Sequence, residues 1–273
     1  SGCLNGAVRR GKRSRFAFSG CLFDWKVIFF MLLLRNLVYW LILSVSAIVM
    51  FAFVLPAMLV PQGANKIGRA WARLLLWSLK NIVGLNYRVE GRENIPAEPA
   101  IICSKHQSGW ETLALQEIFP LQVYVAKKEL FKIPFFGWGL KMAKTIGIDR
   151  KAGVKATAQL MEQGLARKKD GFWIAIFPEG TRIKPGERGR YKLGAAKMAK
   201  LFEMDMVPVA HNSGEFWPKN SFLKYPGTVT VRIGAPIRWQ QGSETELMAE
   251  CENWIESQQA EIGGQGPFGP NPA

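Results

Sequence analysis

Two short stretches carry the residue types that could do chemistry. Phe177-Pro178-Glu179-Gly180-Thr181-Arg182 reads as a turn built to receive an anion, and His106-Gln107-Ser108-Gly109-Trp110-Glu111 supplies a histidine and a carboxylate. The chain has only two histidines, so a reaction that needs a base near neutral pH has few candidates. His106 and Glu111 are five residues apart, which on one straight helix separates side chains by about 140°. They can meet only if His106 lies in a loop just ahead of a helix. Ser108 suits the cap of that helix, and Glu111 in its first turn would point back toward the loop. A carboxylate on one imidazole nitrogen fixes the tautomer and supports the imidazolium, leaving the other nitrogen to take a proton from a hydroxyl. The same residues also read as a plain capping box, S-x-x-E, with Glu111 satisfying the cap's backbone N–H.

In the second stretch Pro178 suits the second position of a type I turn and Gly180 the fourth. Successive backbone N–H groups in such a turn form an anion-binding concavity. The Thr181 hydroxyl adds a donor, and Arg182 can hold a phosphate through two parallel bonds. Glu179 is not an obvious phosphate ligand; its expected task is to orient Arg182 or a substrate hydroxyl. An ordinary surface turn is the competing reading, weakened by Lys184, Arg188, Arg190 and Lys192 close behind.

The elements that must position these groups follow from the chain's texture. Short apolar runs at Ala100–Cys103, Gln122–Ala126, Phe172–Phe177, Met206–Ala210 and Thr228–Ile233 read as strands, with helices near Thr112–Ile118, Val154–Arg167 and Ala195–Glu203. Ser243 and Glu246 form a capping box opening a last helix to about Ile262. The fold class is α/β: a mixed sheet flanked by helices over residues 86–262, preceded by a membrane-associated helical pair over 31–85. The Gly/Pro-rich tail 263–273 is expected to be disordered.

No charge interrupts Leu37 to Leu55, and a helix of that length spans about 28 Å, near the thickness of a bilayer's hydrocarbon core. Tyr39 and Trp40 are expected at the membrane interface. Ile67–Leu85 reads as an amphipathic helix, lying either in the headgroup layer or in the core of the soluble domain. One full crossing would put the site on the side opposite the basic N-terminus. A hairpin or partly inserted helix pair, turning near Pro56 and Pro61, avoids this. Residues 1–30 are basic; since the chain opens on Ser1 and Met31 stands just ahead of the anchor, they read either as a native leader or as sequence ahead of the true start.

Lys and Arg number 36 against 21 acids, a net charge of +15, which calls for an anionic partner. A membrane segment and the lack of any nucleic-acid-binding motif turn that reading away from nucleic acid. Cys3, Cys21, Cys103 and Cys251 show no CxxC pair and no metal spacing, so the thiols are read as reduced and no metal is expected. Base, anion receptor and membrane together point to chemistry on a phospholipid precursor.

Over Met31 to Trp239 the chain resembles the glycerolipid acyltransferase family, specifically 1-acyl-sn-glycerol-3-phosphate acyltransferases. Four blocks stand in the family's order: His106 to Glu111; Lys127-Lys128-Glu129-Leu130 through Pro134 and Gly137; Phe177 to Arg182; and Val207-Pro208-Val209. The resemblance implies that His106 is the general base and Glu111 its orienting acid. It implies that Glu179, Gly180, Thr181 and Arg182 bind the glycerol phosphate and that Lys127 lines the acceptor site. The acceptor would be lysophosphatidic acid, and acyl-CoA or acyl carrier protein would be co-substrate, with no cofactor. Membrane lipids would be the surroundings, at a bacterial inner membrane with the site on its cytoplasmic face. Another lysolipid acceptor, such as a lyso-ornithine lipid or lysophospholipid, and a non-enzymatic protein that binds anionic membranes are the alternatives. The family's usual acid is aspartate; Glu111 is longer by one methylene, about 1.5 Å.

Overall fold

The computed structural model describes residues 19–57, 59–60, 62–149 and 151–270. The stretch 1–18, Pro61 and the last three residues, all touched by the expectations above, lie outside it. Helix α1 (Ser19–Ala57) is continuous through Pro56, and α2 (Gly63–Ser78) packs back along it. A π-helical turn, Leu79–Val83, leads into β1 (Leu85–Glu90). There follow β2 (Ile101–Ser104), α3 (Trp110–Ile118), β3 (Gln122–Lys127), α4 (Phe136–Met142), β4 (Ile146–Ile148), α5 (Val154–Lys169), β5 (Trp173–Ile176), α6 (Gly194–Phe202), β6 (Met206–His211), β7 (Gly227–Ile233) and α7 (Glu244–Ile262).

The strands form one seven-stranded sheet in the order β1-β7-β6-β2-β5-β3-β4. Every pairing is parallel except β6 with β7, so the sheet is mixed, as its sequence texture implies. Strand alternation divides the core between two faces. Ile101, Cys103 and Ile174 face α5, α6 and α7, with Leu160, Met198, Phe202 and Leu247. Ile102, Trp173 and Ala175 face the other side, with Trp110, Leu115, Leu76 and Leu79. Two strands lie outside the sequence reading. In β1 the apolar residues Leu85, Tyr87 and Val89 alternate with polar ones, but the helical pattern before it masks the change of period. The edge strand β4 is three residues long and includes Gly147, too short to leave a pattern.

The helical pair is tied to the α/β domain. On α2 and the π-helical turn after it the apolar side, Leu75, Leu76, Leu79 and Val83, is buried in the domain, while Leu74 and Trp77 stay exposed; the core alternative for this helix is thus the one observed. Along α1, Ile28, Phe30, Leu41, Ile48 and Phe53 are exposed. Its other flank holds the domain: the Asn36 side chain donates to the Lys224 carbonyl (3.0 Å) and accepts from the Lys224 N–H (2.8 Å). Tyr39 is fully buried and Trp40 stacks on Phe222, so these two aromatics dock the helix instead of sitting at a membrane interface.

Lys224 lies among the rings of Trp40, Trp217 and Tyr39, with Nζ 3.7, 4.5 and 4.9 Å from their centroids. It donates to the Phe222 carbonyl, and no carboxylate pairs with it among the described residues. The ring faces soften the cost of burying its charge, yet burial still pulls its pKa from 10.5 to about 7. Between those values the unfolded chain holds a proton that the folded chain releases, so stability rises with pH across this window and levels off below it. Thermal unfolding in detergent should show that rise between pH 7 and 9, and Lys224→Met should reduce it. An unchanged slope in the variant would assign the dependence to another group.

The tail is ordered as far as Pro270, against expectation. The backbone N–H groups of Gly264, Gln265 and Gly266 converge on the buried Glu215 carboxylate, each at 2.8 Å, and Phe268 packs on Tyr225. Gly264 has φ +77°, a conformation open to glycine at little cost, which lets successive N–H groups turn toward one anion.

Candidate active site

The sequence motifs share one edge of the sheet. Strands β3, β5, β2 and β6 are adjacent and parallel, so their carboxyl ends open on the same side. His106 follows β2, the Phe177–Arg182 segment follows β5, Lys127 ends β3, and His211 ends β6. Ligands of α/β sheets bind at such an edge.

His106 lies in the loop between β2 and α3, as the five-residue spacing requires. Its Nδ1 is 2.8 Å from Glu111 Oε1. The same oxygen accepts from the backbone N–H groups of Gln107 (3.0 Å) and Ser108 (2.8 Å). The two readings of Glu111 are therefore both realised, in that it pairs with the histidine and satisfies loop N–H groups. The Ser108 hydroxyl accepts from the Trp110 N–H, one residue short of a full capping box. Glu111 is fully buried, which pushes its pKa up; the His106 hydrogen bond, the nearby His211 and His106 rings and the Ser108 N–H outweigh this and hold it at about 2. An ionised Glu111 must accept, so Nδ1 carries the hydrogen. Nε2 has no partner among the described residues, and the His106 side chain keeps 16% of its surface exposed. Despite its extra methylene, Glu111 meets the imidazole at an ordinary bonding distance.

The second motif forms the anticipated turn: the Gly180 N–H donates to the Phe177 carbonyl at 2.9 Å, with Pro178 and Glu179 between them. Gly180 has φ +68°, where a side chain would strain the backbone. This turn and the histidine loop are one unit. The Phe177 ring stacks on His106 with centroids 4.0 Å apart, and the Ile183 N–H donates to the His106 carbonyl.

Glu179 departs from its expected place. Its carboxylate points inward, away from any role in orienting Arg182: Oε2 accepts the His106 backbone N–H (3.0 Å) and Oε1 pairs with Lys105 Nζ (2.8 Å). Burial raises its pKa, opposed by Lys105 and by the His106 N–H. Lys105, itself buried, also reaches Glu256 on α7 at 2.8 Å. The sequence offered no signal for Lys105 or Glu256, whose meeting depends on helix docking.

Thr181 is exposed and Arg182 half-buried, and the Arg182 guanidinium has no ion-pair partner among the described residues, unlike Arg188, which pairs with Glu252. Lys127 is exposed at the end of β3. A cavity of about 510 Å3 opens beside the turn, lined by Val125, Ile148, Leu160, Ile176, Phe177 and Tyr191, with Arg190, Lys192 and Lys197 at its polar part. Another, of about 410 Å3, lies between α2 and β1 and holds neither motif. Cys103 and Cys251 are buried free thiols. No metal-holding group of His, Cys, Asp and Glu occurs among the described residues.

A parallel-edge site with an acid-fixed imidazole stacked against a tight turn suits an acyltransferase, and the acyltransferase family model matches residues 86–212, from within β1 to Asn212. The chain is 39% identical over 236 residues to a 1-acyl-sn-glycerol-3-phosphate acyltransferase of Pseudomonas aeruginosa, covering 84% of this chain and 91% of the relative. It is 33% identical over 173 residues to the enzyme of that name from Saccharomyces cerevisiae, covering 61% and 56%. The fold matches the crystal structure of the 1-acyl-sn-glycerophosphate acyltransferase PlsC from Thermotoga maritima, with TM-score 0.71 at 24% identity over 84% of this chain and 95% of that one. The chain belongs to the 1-acyl-sn-glycerol-3-phosphate acyltransferase family.

Proposed function

We propose that the chain transfers a fatty acyl group from the thioester of coenzyme A or acyl carrier protein to the free hydroxyl of 1-acyl-sn-glycerol 3-phosphate, giving phosphatidic acid. The observation that carries this is the His106 imidazole, pinned at Nδ1 by Glu111 with Nε2 unpartnered among the described residues, stacked on the first residue of the turn that offers Gly180, Thr181 and Arg182. Nε2 takes the proton of the acceptor hydroxyl as that oxygen attacks the thioester carbon. The C–O bond forms, the C–S bond breaks, and the departing sulfur takes the proton from the imidazolium. Glu111, ionised and buried, supports the imidazolium meanwhile. Arg182 and Thr181 hold the phosphate, and Lys127 adds positive charge to the acceptor side. Glu179 serves from behind, tying the histidine loop to Lys105, and does not touch substrate.

The setting is a membrane surface, probed by α1's exposed apolar flank. Trp25–Val54 is long and apolar enough to cross a bilayer. However, Asn36, Trp40, Ser46 and Phe51 all meet the rest of the chain, over about 22 Å of helix. A perpendicular crossing over that length would drag the domain into hydrocarbon. Partial insertion by the opposite flank avoids this and leaves the site on the cytoplasmic face, where thioester donors are made.

The test is thiol release from oleoyl-coenzyme A or oleoyl-acyl carrier protein by purified protein, with and without lysophosphatidic acid. Release that requires the acceptor supports the reading, whereas release without it would make the chain a thioesterase. A higher rate with a lysolipid lacking the phosphomonoester would move the acceptor assignment. In the same assay Arg182→Ala should raise the acceptor KM by about 10- to 100-fold, the loss of charge-assisted bonds worth about 1.5–3 kcal/mol, with kcat little changed. An effect confined to the acyl donor would overturn Arg182's role.

A further inference from the structure

The second histidine is joined to the first. Glu111 uses both oxygens: Oε1 faces His106 and the loop, and Oε2 accepts the Ser213 hydroxyl at 3.0 Å. Ser213 opens a short 3-10 turn just after β6. His211 Nδ1 lies 3.0 Å from the Ser213 hydroxyl oxygen and 3.4 Å from the Ser213 backbone nitrogen. Its Nε2 lies 2.8 Å from the Lys105 carbonyl oxygen. Ser213, His211 and Glu111 are all buried.

Counting hydrogens settles the directions. A carbonyl can only accept, so His211 Nε2 carries its hydrogen. Burial holds the His211 pKa low, against the pull of Glu111 and the Lys105 carbonyl, so the ring is neutral and Nδ1 is bare. The charged and titratable groups around it are Glu111 from α3 and Lys105 and His106 from the loop after β2; α7 contributes the neutral Gln259, which donates to the His211 carbonyl. One hydroxyl hydrogen then has two takers, Glu111 Oε2 and His211 Nδ1. The Ser213 N–H already points at Nδ1, and a bond to a charged oxygen is the stronger. The hydroxyl hydrogen therefore goes to Glu111.

We propose that Ser213 and His211 are positioning residues for the reaction: in the chain His106–Glu111–Ser213–His211, the Ser213 hydroxyl holds the second oxygen of Glu111 and so sets how strongly that carboxylate supports the imidazole. His211, in one tautomer, fixes the Ser213 backbone and leaves its hydroxyl to the carboxylate. No proton passes along the chain. The proposal rests on the reading of His106 as the base, and one of its measurements does not.

Removing the hydroxyl leaves Glu111 more basic and a better partner for a protonated ring. Ser213→Ala should therefore move the acidic limb of the kcat profile up by about half a pH unit. Because the freed oxygen no longer fixes the carboxylate, and with it the ring, plateau kcat should still fall about three- to tenfold, with acceptor KM within about twofold. Ser213→Thr, which keeps the hydroxyl, should restore the limb. The chain has two histidines, so 13C-labelled ring signals number two and are assigned with His106→Ala. In Ser213→Ala the pH at which the His106 signal changes should rise by about the same half unit. If that variant does not fold, Ser213→Cys, similar in size and a weak donor, should give the same direction of shift. A folded Ser213 variant in which the His106 signal is unmoved overturns the proposal whatever its activity. If the signal moves while the wild type transfers no acyl group, the proposed function fails and the four-residue chain stands.

Discussion

Replacing His106 with alanine should lower kcat about a thousandfold while leaving the protein folded. General-base catalysis by a placed imidazole contributes about 10²–10⁴ in rate, and no other neutral-pH base faces the turn: His211 is buried behind Glu111. The fold should tolerate the change, because Glu111 keeps the Gln107 and Ser108 N–H groups and the Ser213 hydroxyl, so no buried charge is orphaned. Loss of the stack on Phe177 should cost about 0.5–1.5 kcal/mol. Acceptor KM should change little, since the phosphate contacts lie on the turn. Steady-state kinetics with a thermal midpoint on the same sample check this. A variant that keeps wild-type turnover would remove the imidazole from the mechanism.

Lys105→Met should have the largest effect on stability. The ammonium is 1% exposed and stands 2.8 Å from carboxylate oxygens of both Glu179 and Glu256. Without it two carboxylates face each other across a buried gap, and breaking such a group costs about 3–5 kcal/mol. The sign with pH is also fixed. Glu179 already binds its proton more tightly than an ordinary glutamate, through burial, and losing Lys105 strengthens that tendency. The variant should be least unstable at acid pH and lose stability as pH rises through the raised carboxyl value. Chemical unfolding at pH 5 and pH 8 measures this, and adding Glu179→Gln should recover part of the loss at pH 8. A variant as stable as wild type at both pH values would mean that the ion pairs are replaceable by packing alone.

The contrast between Glu111 and Glu179 shows what a sequence discloses. Glu111 was legible because its partners are local: His106, Gln107 and Ser108 sit within five positions, and helix geometry alone decides which arrangement works. The Phe177–Gly180 turn was legible for the same reason, proline and glycine standing where the turn needs them. Glu179 was misread because its partners come from elsewhere, with Lys105 beside it only when β2 and β5 pair in register and Glu256 only when α7 docks. Ser213 reaches Glu111 through the β2–β6 pairing, which no spacing encodes. Tyr39 and Trp40 look the same in sequence whether an aromatic anchors in lipid or packs on Phe222 and Lys224. In the tail, glycines that read as disorder are what allow three N–H groups to close on Glu215.

The strand order also governs when this protein becomes an enzyme during synthesis. β1, made early, pairs with β7 along its whole length, and β2 needs both β5 and the still later β6. Such distant parallel pairings form slowly, because each must close a long loop before any contact rewards it. Helix α1, by contrast, leaves the ribosome ahead of the sheet and needs only local bonds to form. Its exposed apolar flank is therefore complete while the sheet is still unfinished, and His106 gains its Ser213 support only after β6 has been made. The apolar flank is thus in place before the active site is.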